Sequence, residues 1–128
     1  MWNKSFENGR NDDIGLLYPQ YASLFASINA HTFDLMDIFK NGWYFHPAFG
    51  GSASIKKVLP VLTDIHYDDL PIGDGAVATD ILQKLIKGFI PVDQVVVIHE
   101  QLCRYCTLDT WAMVKIWEKV VESLKQKS

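Results

Sequence analysis

Apolar positions recur along this chain at helical intervals, interrupted by short runs of Asn, Asp, Gly and Pro. Phe6, Ile14 and Leu17 mark a helix over Ser5–Leu17. Asn8-Gly9 weakens its middle, because glycine in a helix interior costs up to about 1 kcal/mol. Pro19 suits the first turn of a second helix, where its missing N–H is not needed, and Tyr21, Leu24, Phe25 and Ile28 form its apolar stripe. Phe33 to Phe39 alternates less clearly and fits a short strand or a loop. Asn41-Gly42 signals a turn, and Trp43-Tyr44-Phe45 after it fits a short strand that Pro47 and Gly50-Gly51 end. Ser54 is placed to cap a helix running to Leu59, which Pro60 stops or kinks. Val61 to Gly75 is rich in Asp, Pro and Gly and reads as a long surface loop. Val77, Ile81, Leu82, Leu85 and Ile86 predict a helix from Ala76 to Lys87, with Gly88 just past its end. Pro91 opens a last helical pattern that continues to Lys125. The expectation is a mainly α chain (α+β), a single domain over 1–128 with five to six helices and one or two short strands.

The last pattern carries the candidate chemistry. Leu102, Cys106, Met113, Ile116, Val120 and Leu124 fall three and four apart and define a buried stripe. Asp109 lies within it. An isolated buried carboxylate is costly, so it is paired, holds a cation or caps a helix end. Tyr105 lies one turn earlier on the same face. Two uses of Asp109 stay open on spacing alone: ligand for a divalent cation, with a phenol beside it to hold a water, or N-cap of a helix starting at Thr110.

Composition narrows the class. Apolar residues make up 48% and charged residues 21% of 128 positions, which describes a globular domain. The net charge of -3 excludes nucleic-acid binding driven by overall charge, so any such contact is local. No apolar run approaches the roughly 20 residues of a membrane span, and the first residues carry no leader pattern, so a cytoplasmic protein with no membrane contact is expected. Cys103 and Cys106 lack a second ligand pair for a four-ligand zinc site and lie inside a helical pattern, so two buried, reduced cysteines are expected. His31, His46, His66 and His99 show no ligand spacing and read as surface or core residues.

Leu102-Cys103-Arg104-Tyr105-Cys106-Thr107-Leu108-Asp109-Thr110 resembles the third acidic motif of the DEDD superfamily of 3′–5′ exonucleases, in its tyrosine form. Asn3-Lys4-Ser5-Phe6-Glu7 is similar to that superfamily's second motif, with Glu for Asp. Gly51 to Pro60 and Tyr67-Asp68-Asp69-Leu70 resemble a bacterial domain-of-unknown-function family found at the C-terminus of longer proteins. The resemblance implies a partial ribonuclease-H-like fold lacking its N-terminal strands, and two-metal phosphodiester hydrolysis with Mg²⁺ or Mn²⁺. It implies Glu7 and Asp109 as metal ligands, Tyr105 as the residue that orients or helps deprotonate the attacking water, and DNA or RNA as substrate. The superfamily's first motif, Asp-x-Glu, occurs nowhere in the chain. The expectation is therefore an active parent protein and a piece that is inactive alone and holds no cation, and that either self-associates through a face the missing sheet would cover or packs its helices into a compact bundle.

Asn3 joins the substrate-binding candidates through its motif. Gly50-Gly51-Ser52 with Lys56 and Lys57 offers a phosphate contact, against the plainer reading of a capped turn. Asp34 reads as a structural hydrogen-bond acceptor and Asp80 as an exposed helix residue. Trp43-Tyr44-Phe45 offers either base stacking or core packing. The rival function is a non-catalytic helical interaction module, in which the same residues only cap and pack.

Overall fold

A computed structural model describes residues 1–127. Six α-helices follow in order: α1 Lys4–Leu17, α2 Ala22–Ala30, α3 Met36–Lys40, α4 Ile55–Leu62, α5 Gly75–Ile86 and α6 Val92–Gln126. Two single 3-10 turns, Pro19–Tyr21 and Pro47–Phe49, lie between them. The chain gathers into two compact units, Met1–Val58 and Leu59–Ser128.

The first unit is built on a helical hairpin and an aromatic cluster. α1 and α2 approach closely because position 15 is glycine: a Cβ there would stand 3.3 Å from the Ala22 Cα. Asn29 on α2 fastens the pair, joining Asn11 at 2.9 Å and Asp12 at 2.9 Å. The start of α1 has no capping side chain of its own. Asp34, some thirty residues on, does that work: its carboxylate accepts from the Asn3 N–H at 3.0 Å and the Lys4 N–H at 2.8 Å, and from Met36 N–H at 3.1 Å. The expected acceptor role of Asp34 is thereby filled. Leu35, Ile38, Phe39, Phe49 and Val58 are buried, and Trp2 stacks on Phe39 with centroids 5.5 Å apart.

Trp43-Tyr44-Phe45 is not a strand, and no strand occurs among the described residues. With no neighbouring strand to supply a ladder, the stretch is fixed by a turn. Gly42 takes φ +70°, the Tyr44 N–H donates to the Ile38 carbonyl, and the Tyr44 ring joins Phe39 and Phe49 at 5.8 and 6.5 Å. Trp43 and Phe45 are each 71% exposed, so one aromatic of the three packs inward.

In the second unit Leu59, Tyr67, Ile72, Ala112, Ile116 and Val120 are buried. Pro60 sits inside α4, which continues to Leu62 instead of stopping there. The segment after α4 is not a plain surface loop, because it sends Tyr67 and Ile72 into the core. α5 is capped by Asp74, whose carboxylate accepts from Ala76 N–H at 2.8 Å. It ends as expected at Gly88: the Phe89 N–H reaches the Lys84 carbonyl and the Gly88 N–H the Leu85 carbonyl.

α6 runs unbroken for 35 residues, about 52 Å. Asp109 lies mid-helix, which removes the N-cap alternative. Of the expected stripe Ile116 and Val120 are buried and Leu102 and Met113 half-buried, while Cys106 and Leu124 are exposed; Tyr105, Asp109 and Ala112 complete the packed side. Cys103 and Cys106 are both exposed, against the expectation of buried thiols. Apolar residues stand three and four apart on both sides of this helix, so periodicity alone did not choose the side. Asp80 is exposed, in an ion pair with Lys84 at 2.7 Å. No helix among the described residues is long and apolar enough to cross a membrane.

Asp34 supplies a test of the first unit. Asp34→Ala strands two N–H groups at the start of α1 and is expected to destabilise the chain by about 1–2 kcal/mol in urea titrations. Glu7→Gln, at an exposed position on the same helix, should change stability by less than about 0.5 kcal/mol.

Candidate functional site

Mid-helix on α6, the side chains of Tyr105 and Asp109 lie one turn apart and face the segment that follows α4. The Tyr67 hydroxyl donates to Asp109 Oδ1 at 2.7 Å, short enough for a charge-assisted bond. The rings of Tyr67 and Tyr105 lie 6.2 Å apart and inclined at 54°. Tyr67 is buried, while Tyr105 and Asp109 are half-buried, so the carboxylate has one side against protein.

The Tyr105 hydroxyl reaches toward the start of α5, where a Cβ on Gly75 would stand 3.3 Å from it. The neighbouring Asp74 caps that helix. Two phenols and two carboxylates thus meet where α6, the α5 N-terminus and the loop converge. Close packing extends into the loop itself: a Cβ on Gly73 would come within 2.8 Å of the Tyr67 carbonyl oxygen, a contact that only glycine escapes.

Both phenols hold their protons more tightly than usual. Burial is the largest cause for Tyr67, followed by its bond to Asp109 and the negative charge of that carboxylate. Burial also raises Tyr105, followed by the charges of Asp109 and Asp74. At neutral pH each is therefore a hydroxyl donor and not a base.

The sequence candidates fall into two groups. Tyr105 and Asp109 share this patch in the second unit. Asn3, Glu7, Lys56 and Lys57 belong to the first unit, with Glu7 exposed on α1, Asn3 at its N-cap in a left-handed conformation, and the lysines exposed in the first turn of α4. Among the described residues no group of three or more His, Cys, Asp or Glu side chains is arranged to hold a metal ion. The residue the sequence reading missed is Tyr67. Its one signal was an aromatic set among aspartates in a segment read as solvated.

Comparison with known proteins adds a partial match. Residues 1–54 match the model of a domain of unknown function, DUF2779. Two relatives match across most of the chain. The uncharacterized protein MG366 of Mycoplasma genitalium is 29% identical over 91% of the chain, and its Mycoplasma pneumoniae homolog 28% identical over the same share. The chain spans 19% of the length of each. No solved structure matches.

The Tyr67–Asp109 bond carries a pH signature. A phenol whose folded-state pKa lies above its unfolded value of 10.0 adds no pH dependence below about pH 10. Above it the unfolded chain loses a proton that the fold retains, so stability falls as pH rises, by up to about 1.4 kcal/mol per unit for each phenol fully held. Tyr67→Phe is expected to cost roughly 1 kcal/mol at neutral pH and to make the decline above pH 10 shallower. Urea titrations of both proteins from pH 7 to 11 check this; parallel curves would refute the coupling.

Proposed function

We propose that Tyr105 and Asp109 are this chain's part of a metal-dependent phosphodiesterase site of the 3′–5′ exonuclease type, acting within a longer protein. The observation that carries the proposal is the convergence of an acid and a protonated phenol, one helical turn apart, on the packed side of α6. The motif likeness around Tyr105–Asp109 and around Asn3–Glu7 supports it, and the second of these lies within the residues that match the family model.

Mg²⁺ and Mn²⁺ take oxygen ligands, so the donors fit in kind. They fall short in number: the patch offers Asp109, already bonded to Tyr67 through Oδ1, and Asp74, which caps α5. In this proposal Asp109 holds an ion, which when bound would supply Lewis-acid stabilisation of the transferring phosphoryl group. The Tyr105 hydroxyl, kept protonated, orients the attacking water by hydrogen bonding. Tyr67 fixes the angle of the Asp109 carboxylate.

Manganese titration followed by thermal melting tests this on the 128-residue chain. At about ten times its dissociation constant Mn²⁺ would stabilise the fold by about 1.4 kcal/mol, several degrees of melting temperature. Asp109→Asn should abolish the shift. No shift in the wild type, or an equal shift in Asp109→Asn, would exclude the metal role.

A second reading, the non-catalytic helical module, is favoured by one observation. α6 leaves Val92 89%, Val96 66% and Trp111 48% exposed, and Ile86 at the end of α5 and Phe89 just after it are 76% and 73% exposed. A domain that worked alone would rarely keep that much apolar surface in water. In this reading a second copy of the chain covers the face. Sedimentation velocity should then show dimers that dissociate on dilution, weakened in Val96→Asp; a monomer at all concentrations would discard it.

A further inference from the structure

Trp43, Tyr44 and Phe45 in the first unit form an aromatic turn that neither reading uses. The middle residue is locked in place: the Tyr44 N–H donates to the Ile38 carbonyl at 3.1 Å, and the ring packs against Phe39 and Phe49. The outer rings are left in solvent, Trp43 and Phe45 each 71% exposed. Two residues apart, their Cα atoms stand at most about 7.6 Å from one another. Bases stacked along one strand lie about 3.4 Å apart, and about twice that once a foreign ring separates them. The two free rings therefore fall within reach of successive opened bases of a single strand.

Local charge supports the match. From residue 38 to residue 58, where the first unit ends, the chain has no Asp or Glu but carries Lys40, Lys56 and Lys57. The chain as a whole has a net charge of -3, so this stretch runs against it. Lys40 is exposed and lies three residues before Trp43, which keeps their Cα atoms within about 11 Å. The carboxylates nearest in sequence are Asp37, half-buried in the first turn of α3, and Asp34, already engaged by three backbone N–H groups.

The neighbouring positions discriminate between partners. Asn41, Gly42, His46 and Ala48 are exposed, and all are polar or small. Two rings in such company lack the broad apolar face that embeds in a bilayer surface, and the apolar centre of a protein interface. A nucleobase asks for less: a π-face to stack on and a cation for the phosphate beside it. We propose that Trp43 and Phe45 are a stacking platform for single-stranded nucleic acid, with Lys40 at an adjoining phosphate. The platform reads no sequence, because every base has a π-face. It needs neither Asp109 nor a metal ion, so it stands or falls separately from the phosphodiesterase reading.

The probe is a fluorescein-labelled oligothymidylate, titrated with the 128-residue chain in EDTA and followed by fluorescence anisotropy. Binding is expected to saturate and to weaken as salt rises. Trp43→Ala and Phe45→Ala should each weaken it about tenfold, and Trp43→Phe should recover most of that loss. Lys40→Gln should reduce the slope of log affinity against log salt by about 0.7. Trp111→Ala, at an exposed aromatic of the second unit, and Asp109→Asn should leave the titration unchanged. A duplex of the same length should bind at least about tenfold more weakly, since its bases are already stacked on each other. Circular dichroism and urea titration confirm that each variant keeps its fold, as expected for exposed positions 40, 43 and 45. No binding at about 0.1 mM chain in low salt, equal affinity for the duplex, or equal losses in Trp111→Ala and Trp43→Ala would each overturn the proposal. So would capture of the chain by phosphatidylserine vesicles that Trp43→Ala abolishes, which would assign the rings to a membrane surface.

Discussion

The second unit depends on one hydrogen bond, from the Tyr67 hydroxyl to Asp109. A carboxylate on the packed side of a long helix is an expense that must be offset by a partner. The partner comes from a segment without regular structure, whose position is otherwise set by the burial of Tyr67 and Ile72 and by the approach of Gly73 to the Tyr67 carbonyl. The bond therefore acts in both directions. It satisfies Asp109 and holds the loop that carries Tyr67, and through that loop it sets the approach to α5 and Asp74.

The first unit uses the same device with different donors. Asp34 lies far along the chain from the helix it caps, and three backbone N–H groups converge on its carboxylate. In both units an acid joins segments that hydrophobic periodicity could not have brought together. A backbone cap is satisfied once its donors are met, so Asp34 has little left to offer a ligand. Asp109 differs, since the recorded bond engages only Oδ1.

Helix existence was legible in the residues, because it follows from local signals. Pro19, Pro91 and Gly88 punctuate the helices close to where sequence reasoning placed them. What was not legible is which face of α6 turns inward. Cys106 and Leu124 are as regular in spacing as Ile116 and Val120, yet both are exposed, because burial follows where segments such as Tyr67 and Ile72 arrive and not the period alone. The strand expected at Trp43-Tyr44-Phe45 failed for a related reason: β-propensity describes a residue's fit to a sheet, and here no partner strand exists among the described residues. Of the candidate site, the Tyr105–Asp109 pair was readable from helical spacing. Tyr67 was not, since its contact spans 42 positions through an irregular loop.

That division bears on what Asp109 can do. A ligand fixed through one oxygen by a buried phenol loses little further freedom when its other oxygen takes a cation, and such outer partners commonly orient metal-binding carboxylates. The same bond competes with a cation for carboxylate charge, because the hydroxyl already draws on it. Which effect prevails depends on whether the cation approaches from the open side of Asp109, leaving Tyr67 in place. Asp109 is half-buried and Tyr67 buried, so part of the Asp109 side chain remains in contact with solvent. A structural fastener needs only the bond to Tyr67, whereas a ligand needs Oδ2 occupied as well.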